Sequence, residues 1–147
     1  MFSTTTQYAL RALVVLAEQS GDELILGRDI ATRASIPANY LSKLMLTLGG
    51  AGLVEASRGI NGGYRLLVPS REIKLLTLVR LFDRQFAPKA CVLGLKAECS
   101  DEAPCSAHAV WKDAKAGLML FLEATTLADI SGGIVELPKP RRRRRSA

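Results

Sequence analysis

Behind the hydroxyl-rich Thr4 to Thr6, apolar residues Tyr8, Ala9, Ala12, Leu13, Val15 and Leu16 recur every three or four positions until Ser20-Gly21-Asp22. That spacing predicts a first helix with a capped start. After Leu24-Ile25-Leu26, Gly27 and Arg28 lead into a short amphipathic helix, Asp29 to Ala34. Ser35-Ile36-Pro37 then turns the chain into a second one, and Pro37 suits a first helical turn. Tyr40, Leu41, Leu44, Met45 and Leu48 make its apolar face, and Gly49-Gly50-Ala51-Gly52 stops it. Two short helices joined by a tight turn read as helix-turn-helix. The period then changes from helical to alternating in Leu53 to Ala56 and Tyr64 to Val68. Between them the glycine-rich run Ser57-Arg58-Gly59-Ile60-Asn61-Gly62-Gly63 marks a β-hairpin. A helix-turn-helix followed at once by a hairpin with an arginine at its tip is the layout of a winged helix.

From Glu72, the residues Ile73, Leu75, Leu76, Leu78, Val79 and Phe82 predict a further helix stopping near Asp83. Residues 84–105, with Pro88, Gly94 and Pro104, read as a long loop, and a loop of that length in a small protein is usually functional or disordered. A last helix is expected from about Ser106 to Thr125. Its Trp111, Ala114, Leu118, Phe121 and Thr125 form a coiled-coil-like seam, widened by Val110, Met119, Leu120 and Leu122. A chain this small has little else on which to bury both sides, so a second copy is the economical partner. The expected fold is mostly α with a small β-hairpin. A winged helix-turn-helix DNA-binding domain occupies residues 1–83, a cysteine-rich loop 84–105, a long C-terminal dimerisation helix 106–130 and a disordered basic tail 131–147.

Length and charge sharpen this picture. The 147 residues suit one domain plus an oligomerisation element and exclude large barrels and two-domain enzymes. Hydrophobic residues make up 48% and aromatic residues 5%, enough for a core built mainly of aliphatic side chains. The net charge of +6 comes from the tail, since Lys139 and Arg141 to Arg145 supply six positives and residues 1–137 carry 14 of each sign. Residues 1–84 hold ten positive and seven negative side chains, whereas residues 91–137 hold three and seven. The front half is therefore suited to face an anion. No run approaches a membrane span, and Tyr8 to Ala17 is interrupted by Arg11 with no basic leader, so a cytoplasmic protein is expected.

Major-groove readout needs short polar side chains and long donors near the start of a rigid helix. Asn39, Tyr40, Ser42 and Lys43 fit: Asn39 to pair with adenine, Ser42 to donate or accept, Lys43 to reach guanine or phosphate, Tyr40 to lie on the backbone or a thymine methyl. Arg58 at the wing tip, with Gly59 beside it, is placed for the minor groove or a phosphate, and Arg28 completes the set.

The three cysteines all fall within fifteen residues, an odd number that favours metal or redox chemistry over structural bridges. Seven residues separate Cys91 from Cys99, five separate Cys99 from Cys105, and two separate Cys105 from His108. Three thiolates and an imidazole suit zinc or an iron–sulfur cluster, and the long gaps favour wrapping a multi-iron cluster over the paired two-residue gaps of zinc ribbons. Zinc or thiol-redox use of the same ligands is the alternative. An enzyme with Cys105 as nucleophile and His108 as base lacks a third orienting group and an oxyanion-hole motif, so no enzyme is expected.

Thr6-Gln7-Tyr8-Ala9-Leu10-Arg11, Ile36-Pro37-Ala38-Asn39-Tyr40-Leu41, the run from Ala51 to Tyr64 and the three-cysteine loop together resemble the Rrf2 family, including its IscR, NsrR and RirA types. The resemblance covers residues 1 to about 130. It implies a homodimeric winged-helix transcription regulator whose iron–sulfur cluster, 2Fe-2S or 4Fe-4S, controls affinity for a palindromic operator in double-stranded DNA. The family's base-contacting positions fall on Asn39, Tyr40, Ser42 and Lys43, its wing arginine on Arg58, and its cysteine ligands on Cys91, Cys99 and Cys105. The gaps look more like the RirA type than the IscR type. In the IscR type, glutamate and glutamine stand at the places of Ser42 and Lys43, which implies a different operator here. His108 sits where the IscR type has its fourth ligand. The N-terminal carboxylate used by some NsrR-type members is matched by Gln7, a poor ligand, which favours His108.

Overall fold

The computed structural model describes residues 2–19 and 22–132, so the arginine run and nearly all of the expected tail lie outside the described residues. Helix α1, Thr4–Ala17, begins at Ser3, whose hydroxyl accepts the Thr6 amide at 3.2 Å and satisfies one of the orphan donors of the first turn. Helix α2, Gly27–Ala34, ends where Ser35 adopts the left-handed conformation at φ 53°, and α3, Ala38–Gly50, follows directly. The break thus falls on the expected turn. Ile30, Ala31, Leu41, Leu44, Met45 and Leu48 face inwards with Leu13 and Leu16 of α1.

Strands β1, Val54–Ser57, and β2, Gly63–Leu66, pair antiparallel with Val54 opposite Leu66 and Ser57 opposite Gly63. A third segment joins them. Ile25 and Tyr64 exchange amide bonds of 2.9 and 2.8 Å, which fixes the wing to the chain entering α2. Gly63 is required there, because a Cβ would come within 2.4 Å of the Ile25 carbonyl oxygen.

The helix expected from Glu72 is shorter than its apolar pattern. Ser70–Glu72 forms a 3-10 turn, Ile73 and Lys74 are extended, and α4 spans Leu75–Phe82. Tertiary pairing explains the difference: Lys74 bridges Thr126, Leu127 donates its amide to the Ile73 carbonyl at 2.7 Å, and Leu75 donates to Thr125 at 2.9 Å. These bonds hold α6, Leu127–Ile130, a short helix with a Thr126/Asp129 capping box, against the front of the molecule. Helix α5, His108–Ala124, connects the two regions and starts two residues later than expected. Leu122 and Leu127 are fully buried in the core, so the end of the segment expected to serve dimerisation also completes the winged-helix domain.

Leu118 and Met119 also pack partly against the core, but one face of α5 is left uncovered by its own chain. Leu122 is its one buried residue, whereas Val110, Leu120 and Phe121 are 75%, 70% and 50% exposed. No helix among the described residues is long and apolar enough to cross a membrane.

Candidate metal centre and nucleic-acid interface

The chain leaves α4 through Asp83 and a 3-10 turn, Arg84–Phe86, within the segment expected to be a plain loop. Phe86 is buried, and the ring of Phe2 packs on it with centroids 5.7 Å apart. Beyond Phe86 the segment has almost no apolar core: from residue 87 to 121, Cys99 is the buried residue. What organises it is sulfur and backbone polarity. The Sγ atoms of Cys91, Cys99 and Cys105 all lie within 4.8 Å of one another, with Cys91 and Cys105 at 3.8 Å. All three thiols are free.

Each sulfur is held by local backbone. The Lys96 amide, with those of Leu93 and Leu95, points at Cys91 Sγ and brings that thiol down to about 7 against the opposing effect of burial. The Cys105 amide donates to Cys99 Sγ at 3.3 Å, and the Cys99 amide donates to the Lys89 carbonyl at 2.8 Å. Lys89 itself is left-handed at φ 62°, a conformation uncommon outside glycine. Although the Ala107 amide favours the Cys105 thiolate, burial and the neighbouring Cys99 and Cys91 sulfurs outweigh it and raise the Cys105 thiol. Three thiols in such proximity resist joint ionisation unless a cation sits among them.

His108, the first residue of α5, joins this cluster. Its Nδ1 lies 3.1 Å from Cys99 Sγ, and its Nε2 lies 2.9 Å from Asp101 Oδ1. Asp101 thus supplies the orienting carboxylate that sequence spacing had not revealed. Hydrogen bonds from Lys112 and then His108 hold Asp101 below the usual carboxylate range. Lys112 Nζ binds both Asp101 oxygens, at 2.9 and 2.7 Å.

A cavity of about 260 Å³ opens beside Cys99, its lining including Lys89, Asp101, His108, Trp111, Lys112 and Lys115. The Trp111 indole N–H, which belongs to this lining, is buried without a partner among the described residues. Lys96 spans the loop to the Ala103 and Pro104 carbonyls at 3.3 and 3.1 Å. Lys89, Lys112 and Lys115 border the cavity on the Cys99 side, with Asp101 bonded to both Lys112 and His108. Three thiols, one imidazole and an unused buried donor fit a metal–sulfur group.

The candidate DNA contacts fall on a different face. Asn39, Ser42 and Lys43 are exposed along α3, and Arg28 is exposed in the first turn of α2. Ser42 currently donates to the Ala38 carbonyl at 3.3 Å. Arg58 and Gly59 are exposed at the wing tip, where Gly59 has φ +107°. Tyr40 is turned away from these: its hydroxyl bonds Thr5 of α1 and its ring packs edge-on to Tyr8 with centroids 5.3 Å apart. Leu46, which the apolar pattern did not single out, is 80% exposed on α3. With Ser42, Gly49, Arg58 and Gly59 it lines the groove between α3 and the wing. The only signal in the sequence was that Leu46 falls out of step with Leu41, Leu44, Met45 and Leu48.

A buried polar cluster connects the two regions. Asp83 accepts the Thr6 hydroxyl at 2.8 Å and the Ser3 amide at 3.1 Å. Burial raises the Asp83 carboxyl, but the bonds from Ser3 and Thr6 outweigh it and keep the group below its ordinary value.

Comparison with known proteins agrees with this architecture. The Rrf2 family model, described as an iron-dependent transcriptional regulator, matches residues 2–132. The chain is 35% identical over 125 residues to the HTH-type transcriptional regulator NsrR of Bacillus licheniformis, covering 85% of this chain and 87% of that one. The solved structure of T. potens IscR is similar with a TM-score of 0.67 at 30% identity, covering 88% of this chain and 84% of that one. Staphylococcus aureus CymR in its oxidized form gives a TM-score of 0.70 at 27% identity, covering 91% and 98%. Winged-helix architecture, an exposed polar face on α3 and a family match along the described chain lead to one assignment: this protein belongs to the Rrf2 family of DNA-binding transcriptional regulators, and is not an enzyme.

Proposed function

We propose that the protein is a homodimeric, cytoplasmic transcriptional repressor whose grip on a palindromic operator is switched by an iron–sulfur cluster. Cys91, Cys99, Cys105 and His108 would hold the cluster. The observation that carries this reading is the convergence of three thiols, with an imidazole against Cys99, in a segment with almost no other core. When bound, a cluster supplies metal–thiolate bonds that oxidation, nitric oxide or iron shortage break.

The chain converts that chemistry into geometry. Cys99 is tied to Lys89 on the α4 side and Cys105 lies just before α5, so drawing the sulfurs together fixes the angle between α4 and α5. Asp83 ties the end of α4 to Ser3 and Thr6, and Thr5 ties α1 to Tyr40 on α3. The exposed face of α5 forms the two-fold contact, so a change in its angle alters the separation of the two reading helices. Palindromic half-sites lie about 34 Å, one helical turn, apart, and only one separation fits. Asn39, Ser42 and Lys43 read the major groove, Arg58 and Gly59 follow the minor groove or backbone, and Arg28 binds phosphate. Tyr40 holds α3 to α1 at the edge of that surface.

The test is anaerobic purification with iron, sulfide and absorption measurements, followed by titration of an operator selected from random duplexes. Holo and apo protein should differ in affinity by about tenfold or more, within the usual range of allosteric coupling. Cys99→Ala should remain colourless and bind as the apo form does. Indistinguishable binding by all three would remove the switch. The 3.8 Å approach of Cys91 and Cys105 favours a second reading, a thiol-redox switch without iron. A colourless protein with a Cys91–Cys105 disulfide on mass analysis would select it, and stoichiometric zinc would select a structural metal.

A further inference from the structure

His108 is the one histidine of the chain, and both of its ring nitrogens are engaged. An ionised carboxylate only accepts hydrogen bonds, so the 2.9 Å contact with Asp101 places the ring proton on Nε2. In neutral imidazole the other nitrogen then carries a bare lone pair, and here that nitrogen, Nδ1, faces Cys99 Sγ. Asp101 is fixed in turn by Lys112, which stands one turn beyond His108 on the same face of α5 and binds both carboxylate oxygens. The carboxylate is therefore clamped between two side chains of one rigid helix, although it belongs to the coreless loop.

We infer that Asp101 is a positioning residue that locks His108 in its Nε2–H form and aims the Nδ1 lone pair into the cysteine pocket, making Nδ1 the donor offered to the cluster. Carboxylate support of a ligating histidine typically contributes about 10–100-fold to metal affinity. The donor role rests on the iron–sulfur reading above. The tautomer does not, because it belongs to the metal-free chain.

Nitrogen-15 NMR of the metal-free protein tests the first part, and a single histidine makes assignment direct. Wild type should show a protonated Nε2 with slowed solvent exchange and an unprotonated Nδ1. Asp101→Leu should lose the slowed exchange, whereas Asp101→Asn, which keeps an acceptor oxygen, should retain it. Lys112→Met should fall between them. After anaerobic reconstitution, hyperfine spectroscopy of the reduced protein should detect one strongly coupled histidine nitrogen in wild type and Asp101→Asn. Asp101→Leu should lose its cluster about tenfold faster. A proton on Nδ1, or identical exchange and cluster lifetime in wild type and Asp101→Leu, would overturn the inference. If wild type takes up no iron but shows the stated tautomer, the iron–sulfur reading fails while the Asp101 orientation stands.

Discussion

The winged-helix region and the cysteine segment are neighbours in one short chain, yet different physics holds each in place. Up to Phe86, buried Leu, Ile, Val and Ala side chains from α1 to α4 form a continuous core, and each strand and turn is positioned by packing on it. From residue 87 to 121 the buried residue is Cys99, and the order comes from amides aimed at sulfur and from lysines that bond loop carbonyls and Asp101. A segment with little buried apolar area has a lower expected cost of local opening than the front domain. The polar cluster at Asp83 stands where the two regimes meet.

That contrast can be broken from either side. Leu13, fully buried, should cost about 2–5 kcal/mol of unfolding free energy when replaced by alanine. Denaturant titration of the metal-free protein would show it, and uptake of iron below the unfolding transition should remain intact. On the other side, replacing the exposed Leu120 and Phe121 together by serine should weaken self-association through α5 by about tenfold or more, since truncating a central apolar anchor commonly costs over 1 kcal/mol. Sedimentation analysis would read the change, and the helical signal of the front domain should stay. An unchanged oligomer would mean that another surface holds the dimer.

The smallest expected effect sharpens the boundary. Asp83→Asn should cost about 1–3 kcal/mol near neutral pH, because the part-buried Ser3 amide and the buried Thr6 hydroxyl lose a charged acceptor. The pKa of Asp83 is lowered by folding, so the stability it contributes is fully present above the ordinary carboxylate range and is lost as pH falls through its folded value. The difference between wild type and Asp83→Asn should therefore shrink in acid. A gap in unfolding free energy that is the same at neutral pH and below the folded pKa would show that Asp83 is not ionised in the native protein.

Much of the front domain was legible because local and tertiary preferences agree there. The Ser35-Ile36-Pro37 break, the glycine-rich wing tip and the apolar face of α3 each have a local cause that survives folding. Where a tertiary pairing competed, the pattern misled: Ile73 and Lys74 continue a helical period but are extended, because the chain around Thr126 pairs with them. Tyr40 stood among the reading-helix polar residues, and only the nearness of Thr5 and Tyr8 turned it towards α1. The nearness of Cys99 to the His108 ring likewise comes from the loop's path, since nine positions separate the two residues in sequence.

The order of residues alone determined the helix-turn-helix with its wing, the chemistry of the three thiols and one imidazole, and the apolar stripe on α5, since these follow from periodicity, turn chemistry and donor type. Tertiary structure decided which sulfur meets His108, that Asp101 and Lys112 stand behind it, and that α6 closes the core beside α4. Those relations join groups from segments with no repeating pattern between them, and only the folded path of the backbone sets such distances.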